Sequence, residues 1–419
     1  MPKLVFLICL VLGSIHASAN YVLIPMDESQ TDHLKAYGLT FFVLENELES
    51  EWLLNYRGGS FLMPYAEPIE RECIVRNVSY SVLSDAQALA IKREIADPAA
   101  NMDIMKLEVA PKVAVYSPPN KQPWDDAVTL VLTYAEIPYD VIFDNEVMLG
   151  DLPKYDWLHL HHEDFTGQYG KFYASYGREP WYQENQANFE ASAHKHGYEK
   201  VSHLKLGVVE KIREFVAGGG FLFAMCSATD TYDIALAAKG VDICEYMYDG
   251  DPADRNANRK LDFSNTFAFK DFTLVMNPLQ YEYSNIDNQP QERGLVEEND
   301  YFNVFDFSAK WDPVPTMLTQ NHEKLIKGFM GQTTGFKKRL IKPEVIVMGE
   351  TKQAGEARYI HGTIGKGTWT FYGGHDPEDY RHLVGEEPTD LKLHPNSPGY
   401  RLILNNILFP AAKKKNRKT

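Results

Sequence analysis

The stretch that decides the fold begins at residue 218 and reads Gly218-Gly219-Gly220-Phe221-Leu222-Phe223-Ala224-Met225-Cys226-Ser227-Ala228-Thr229-Asp230. The pattern predicts a helix that ends at the glycines, an apolar strand over 221–225 and a second helix that continues to Ala238. Cys226 then lies at a turn from strand to helix. Such a turn presents its side chain at the carboxyl end of a sheet, where open α/β folds place their sites, and it requires small neighbours such as Ala224 and Ala228.

Cys226 is a candidate nucleophile. The amino terminus of the following helix points N–H groups at the sulfur, which favours the thiolate and makes Ser227 a candidate oxyanion donor. A later strand over 368–372 runs into Gly-Gly-His375-Asp376-Pro-Glu378 and so brings His375 to the same edge as a candidate base. Asp376 or Glu378 would orient the imidazole.

A cysteine at a strand-to-helix turn, followed late in the chain by a strand that ends in histidine with a glutamate nearby, resembles the class I glutamine amidotransferase-like fold. Relatives of that fold include the trehalose-utilisation-like (ThuA-like) proteins, whose Gly-His strand end is similar to Gly374-His375. The resemblance covers roughly residues 111–410. It implies that the loop after the third strand supplies a second oxyanion donor, a role that falls here on Gly167.

The chain departs from the family pattern around both residues. Class I amidotransferases carry Gly-x-Cys-x-Gly and His-x-Glu, whereas alanines flank Cys226 and Glu378 falls three residues after His375. These departures weigh against glutamine as the substrate. The whole chain also resembles secreted bacterial proteins that are often labelled asparagine synthetase B. Position 2 is proline and no Ser-Gly-Gly-x-Asp-Ser ATP loop occurs, so the motifs do not support that label.

Length and charge limit the classes of function. The chain has 419 residues and 44% hydrophobic content, enough for a large core and two lobes. Its 42 basic and 58 acidic residues give a net charge of −16, which argues against nucleic-acid binding. We expect a small-molecule, carbohydrate or peptide substrate, because the aromatic residues of the chain could build a sugar- or peptide-stacking surface.

Residues 1–19 are typical of a secretory signal peptide. Lys3 precedes an apolar run over 4–12, and Ala17-Ser18-Ala19 forms a small-residue cleavage site before Asn20. We therefore expect a periplasmic or extracellular protein. The apolar run is too short to span a bilayer and no later segment reaches eighteen apolar residues, so no membrane span is predicted.

Removal of the signal peptide with Cys9 would leave three cysteines, Cys73, Cys226 and Cys244, in an oxidising compartment. Because this number is odd, at least one thiol stays free. A pair between Cys73 and Cys244 would leave Cys226 available. Three buried reduced cysteines are the alternative, because a free cysteine often behaves as a small apolar residue.

The periodicity of the chain predicts a doubly wound, mostly parallel α/β sheet with a small amino-terminal α/β lobe. Strands over 112–116, 139–143 and 155–160 alternate with helices, which is typical of a parallel sheet that is covered on both faces. The predicted organisation is a signal peptide 1–19, a lobe 20–108, an amidotransferase-like domain 109–412 with insertions near 165–203 and 240–340, and a basic tail 413–419.

The third strand ends in His159-Leu160-His161-His162-Glu163-Asp164, a dense set of candidate ligands. His159 and His161 share one face of a strand, as a zinc site would require. We expect instead that His161, His162 and Glu163 contact substrate, and that the protein holds no metal and no cofactor, because the run lacks a clear third-ligand spacing.

Three functions remain after this comparison of motifs. The first is a thiol hydrolase that acts on a C–N (amide) bond, with Cys226 as nucleophile and His375 as base. The second is a non-catalytic ThuA-like module that binds a carbohydrate or small ligand. The third is a metal-assisted hydrolase that uses the cluster over 159–164.

We predict export with cleavage after Ala19, because a charged start, an apolar core and an Ala-x-Ala ending precede it. Amino-terminal sequencing of the mature protein is expected to begin at Asn20. An intact Met1 in the cell envelope, or a lipid on Cys9, would contradict this prediction.

Overall fold

The structure is a computed structural model that describes residues 20–118, 126–312 and 314–413. The predicted signal peptide and all of the basic tail except Lys413 lie outside the described residues. Of the helices in the described ranges, none has the length and apolar content that a bilayer crossing requires.

The amino-terminal lobe is a five-stranded antiparallel sheet with three helices. Its elements are β1 Tyr21–Ile24, α1 His33–Glu45, β2 Ser50–Leu54, β3 Ser60–Pro64, α2 Glu67–Val75, β4 Ser81–Leu83, α3 Asp85–Ala96 and β5 Asp103–Leu107. The strand order is β4-β1-β3-β2-β5. Helix α1 begins after Asp32, whose side chain accepts from the backbone N–H of Lys35, and α3 begins with a capping box formed by Ser84 and Gln87.

The rest of the described chain forms a second, larger sheet and the helices around it. Its strands are β6 Val113–Tyr116, β7 Asp140–Ile142, β8 Trp157–Leu160, β9 Phe221–Met225, β10 Tyr301–Val304, β11 Leu325–Lys327, β12 Phe336–Lys337, β13 Ile346–Thr351, β14 Glu356–Ile364 and β15 Gly367–Tyr372. Its helices are α4 Ala127–Ala135, α5 Asp144–Leu149, α6 Tyr173–Tyr176, α7 Pro180–Lys195, α8 Val201–Gly218, α9 Ala228–Ala237, α10 Tyr246–Asp249, α11 Ala257–Lys260, α12 Pro290–Arg293 and α13 Pro398–Leu408.

The larger sheet is mixed: one half is parallel, as predicted, and the other half is antiparallel, which the sequence did not predict. Its order is β11-β10-β13-β14-β15-β9-β8-β6-β7, and β12 pairs with β14. The half from β7 to β15 is parallel, as the alternation of strands and helices predicts. The other half is antiparallel, because only Gly365 and Lys366 separate β14 from β15 and a parallel crossover needs a much longer connection.

Helices cover both faces of the parallel half. Residues on one face of the sheet, such as Trp157 and Phe223, pack with α4 and α13 in one apolar core. Residues on the other face, such as Leu158 and Leu222, pack with α8 and α9 in a second core. The α/β class with two covered faces is therefore confirmed, because alternate residues of each strand serve opposite layers.

The amino-terminal lobe joins the first of these cores through α1, which packs against α4 and α13. Arg401 of α13 is fully buried at this junction. Its guanidinium donates to the Tyr37 hydroxyl and the Met26 carbonyl, each at 3.0 Å, and also to the Gly58 carbonyl. Burial, and next the positive charge of Arg401, lower the pKa of the neighbouring His33 to about 4.

Cys73, Cys226 and Cys244 are all buried and free. The alternative of three reduced cysteines is therefore the one that the structure contains, and the suggested pair between Cys73 and Cys244 is absent from the described residues.

We predict that Arg401→Leu lowers the free energy of unfolding by about 2–4 kcal/mol, because it leaves buried acceptors without a donor. Thermal or urea unfolding measures the change. Arg71→Ala is the matched control, since the Arg71 side chain is largely exposed and its loss should cost less than about 0.5 kcal/mol. Equal stability of the two variants would contradict the assignment of Arg401 as an anchor.

Candidate functional site

The candidate residues follow three neighbouring parallel strands and lie at one edge of the sheet. Cys226 follows β9, while His161 and His162 follow β8 and His375 follows β15, the two strands that flank β9. The carboxyl ends of parallel neighbours meet at the same edge. This topology brings His375 to the same edge of the sheet as Cys226, where the sequence predicts it.

The Cys226 turn is held by both flanking strands. Cys226 has a left-handed φ of 50°, a conformation that costs free energy for a side chain other than glycine. Its N–H donates to the Gly374 carbonyl at 3.2 Å, and the N–H of Ala228 donates to the His161 carbonyl at 2.9 Å. The Cys226 carbonyl accepts from the Thr229 hydroxyl at 2.6 Å. The strained turn is therefore fixed from three sides.

Burial controls the charge of the thiol. It raises the pKa of Cys226 to about 11, although the backbone N–H groups of Thr333, Gln332 and Ser227 donate to the sulfur and act in the opposite direction. The N–H of Ser227, at the amino terminus of α9, lowers the pKa of the thiol as the sequence predicts, but burial raises it by more. The loss of hydration of the anion outweighs the three N–H groups.

Two of these donors, Gln332 and Thr333, belong to a loop that sequence reasoning did not single out. The segment 330–334 runs beside the strand end at His375, whose N–H donates to the Met330 carbonyl at 2.9 Å. The Thr333 hydroxyl donates to Asp230 on α9 at 2.9 Å, which ties this segment to the helix after Cys226. The turn residues of the segment give a weak signal, but nothing in their spacing links them to Cys226.

Gly167, the predicted second oxyanion donor, lies against α8. A Cβ at Gly167 would lie 2.8 Å from the backbone of Ser202, so the close approach of the helix explains the glycine. The residue lines a separate small cavity, which also contains Glu163 and Lys205. The N–H groups of Gln332 and Thr333 approach the sulfur and are further candidate donors, while the role of Gly167 stays a prediction.

His375 lies in a cluster of imidazoles. It is 4% exposed, and its ring centroid is 4.3 Å from His161, 4.6 Å from His382 and 5.7 Å from His162. Burial, and next the neighbouring histidines, hold the pKa of His375 well below its usual value. The imidazole is therefore neutral at neutral pH and can accept a proton or a cation.

The carboxylates predicted to orient His375 contact other groups. Asp376 accepts from the Thr389 hydroxyl at 2.7 Å and from the Glu378 N–H at 2.9 Å. The Glu378 carboxylate lies 3.0 Å from His394. These contacts stabilise the loop after β15. That Asp376 or Glu378 orients the His375 imidazole stays a prediction.

Asp126 is the carboxylate that faces the histidine cluster. Its Oδ1 lies 3.0 Å from His161 and 3.2 Å from His159, and it also caps α4 by accepting from the Val128 N–H at 2.7 Å. Burial alone would raise the pKa of Asp126, but the two histidines hold it well below its usual value. Sequence reasoning missed Asp126. The sequence marks this residue as a helix cap, and a cap gives no indication of a role in the site.

The remaining members of the predicted histidine run divide between core and cavity. His159 is fully buried and packs against the rings of Trp157 and Phe223, as expected for a core residue. Glu163 is buried, and burial raises its pKa to about 8. It lines the small cavity at Lys205, which His162 also lines, and the rings of His161 and His162 lie with His375.

A cavity of about 730 Å³ opens above Cys226 and His375. Both predicted insertions contribute to its wall, which is largely apolar. The lining residues include Phe172, Tyr176, Tyr281, Leu295, Val296, Met330, Gly331, Gln332, Arg381 and His382. The volume is typical of a site for a small molecule or a short segment of a polymer.

Neither a protein-family model nor a curated protein matches the sequence. Similar solved structures include cytoplasmic protein STM3548 from Salmonella typhimurium, at 10% identity over 72% of this chain and 100% of that chain, with a TM-score of 0.35. Another is cytoplasmic protein STM1381 from Salmonella typhimurium LT2, at 12% identity over 72% of this chain and 100% of that chain, with a TM-score of 0.36. TM-scores this low carry no argument about the family, the activity or the compartment of this chain.

Proposed function

We propose that the chain is an exported thiol hydrolase with a class I glutamine amidotransferase-like fold, which cleaves a C–N (amide) bond. Cys226 is the nucleophile and His375 the base. One observation carries the proposal: the Cys226 sulfur, on a strained turn and near the backbone N–H groups of Ser227, Gln332 and Thr333, faces a cavity of about 730 Å³.

The pKa values determine the order of proton transfer. A thiol whose pKa is about 11 and a neutral imidazole do not form an ion pair at rest, so the proton moves from sulfur to His375 as the sulfur attacks. The new S–C bond forms, and the carbonyl oxygen becomes an oxyanion that N–H groups beside Cys226 stabilise. The C–N bond breaks as His375 returns the proton to nitrogen, and water then hydrolyses the thioester.

The substrate class follows from the walls of the cavity. Phe172, Tyr176 and Tyr281 present aromatic surface, and Arg381 and His382 add polar groups. Such a wall suits a small molecule, or a carbohydrate or peptide segment, that carries the amide.

A ThuA-like binding module is the second candidate. The observation in its favour is that the Asp376 and Glu378 carboxylates have partners of their own in Thr389 and His394. Ligand binding without turnover, retained in Cys226→Ala, would favour this candidate over the hydrolase.

We predict that iodoacetamide labels Cys226 before the other thiols, and that Cys226→Ala abolishes amide hydrolysis. Burial raises the pKa of Cys73 to about 12, whereas Cys226 has a pKa of about 11 and lines the cavity. Because only the thiolate reacts, labelling of Cys226 should rise about tenfold per pH unit up to about pH 11. Mass spectrometry of labelled peptides measures the order. Equal, slow labelling of Cys73, Cys226 and Cys244 would favour the binding module.

A second prediction concerns Gly331. A Cβ there would lie 3.0 Å from the Cys226 sulfur and 2.9 Å from the backbone nitrogen of His375, so Gly331→Ala should displace the adjacent donors and slow both labelling and hydrolysis at least about tenfold. Gly218→Ala is the matched control, because a Cβ at Gly218 meets no atom within 4 Å. Equal rates in the two folded variants would exclude the 330–334 segment from the site.

A further inference from the structure

Three imidazoles converge beside the cavity. One ring nitrogen from each of His161, His162 and His375 lies within 4.8 Å of the other two. Ring centroids are 5.2 Å apart for His161 and His162, and 4.3 Å apart for His161 and His375. In tetrahedral zinc sites, with Zn–N distances of about 2.0–2.1 Å, ligand nitrogens lie roughly 3.3 Å apart. Small side-chain rotations would therefore bring the three nitrogens to one ion.

Asp126 determines which nitrogen of His161 faces its neighbours. Nδ1 of His161 lies 3.0 Å from the Asp126 carboxylate, whose negative charge favours a proton on Nδ1 and so leaves the lone pair on Nε2. The carboxylate is itself held by the amino terminus of α4, through the N–H groups of Val128 and Thr129. A fixed carboxylate behind a histidine is the arrangement that orients metal-binding imidazoles.

The Nε2 atom of His161 is the second, independent observation. His161 is 1% exposed, and its Nε2 makes no hydrogen bond to any residue in the described ranges. A buried polar nitrogen without a hydrogen-bond partner lowers the stability of the folded state by about 1–3 kcal/mol. A cation bound at the lone pair removes that cost and gives the atom a function.

We propose that His161, His162 and His375 bind one divalent transition-metal ion, for which zinc fits best, with Asp126 as the positioning residue of His161. Three neutral nitrogen ligands suit zinc and its neighbours, whereas magnesium and calcium take oxygen ligands. Three protein ligands leave one tetrahedral position for water or a substrate atom, on the side where His375 lines the cavity.

This site goes beyond the thiol hydrolase. Cys226 is not one of its ligands, so the ion can bind whether or not the thiol reacts. The two activities share His375, because a nitrogen that binds an ion cannot at the same time accept the thiol proton. Metal occupancy therefore sets which chemistry His375 performs.

The test titrates chelator-stripped, full-length mature protein with Co²⁺, whose visible d–d bands report tetrahedral coordination, and then displaces it with Zn²⁺. One equivalent should bind. His162→Ala should lower the affinity by about 100-fold or more, and Asp126→Asn by about 10–100-fold. The half-buried position of His162 makes its truncation mild for folding.

Two control variants test whether a loss of metal affinity is specific to the proposed ligands. His194→Ala, at an exposed position near the end of α7, should bind the ion like the wild type. Cys226→Ala should do so as well, which keeps this result independent of the thiol proposal. Thermal unfolding shows whether each variant is folded. His162→Gln is a second substitution at the same ligand and serves if His162→Ala is unfolded. No bound equivalent in the wild type, or unchanged affinity in a folded His162 variant, would overturn the metal site.

Discussion

The site depends on the hydrogen bonds that tie the turn at Cys226 to the strands on either side of it. The N–H of Cys226 donates to Gly374 and the N–H of Ala228 donates to His161, so the residues that follow β9 are coupled to the ends of β15 and β8. These bonds hold the left-handed backbone of Cys226 in place and fix the spacing of the thiol and the imidazoles. The segment 330–334 then pairs with the same strand end and completes the donors around the sulfur.

Burial determines the chemistry that this edge of the sheet can perform. It removes the hydration of charged forms, which keeps the Cys226 thiol protonated and His375 neutral. Asp126 stays ionised because two histidines and a helix amino terminus replace its lost water. One fixed negative charge behind several neutral nitrogens is a favourable setting for a cation.

Local pattern specified the parallel half of the fold well. The apolar run over 221–225 is β9 residue for residue, because glycines precede it and a helix follows at once. The antiparallel half was not predicted, because β14 and β15 show no distinctive periodicity. Gly365 lies in the tight turn that joins these two strands. The third histidine of the cluster lies on a distant strand, so the spacing within 159–164 could not reveal it. Gln332 and Thr333 act through backbone N–H groups, which any residue type supplies.

The packing of α1 against α13 has a consequence for how the chain acquires its structure. Residues near the amino terminus cannot complete their core until 398–408 have been synthesised, and Arg401 closes that junction through contacts with Tyr37 and Met26. Such long sequence separation slows folding. Slow folding would favour translocation of a chain that is exported in an extended state, as we propose for this one.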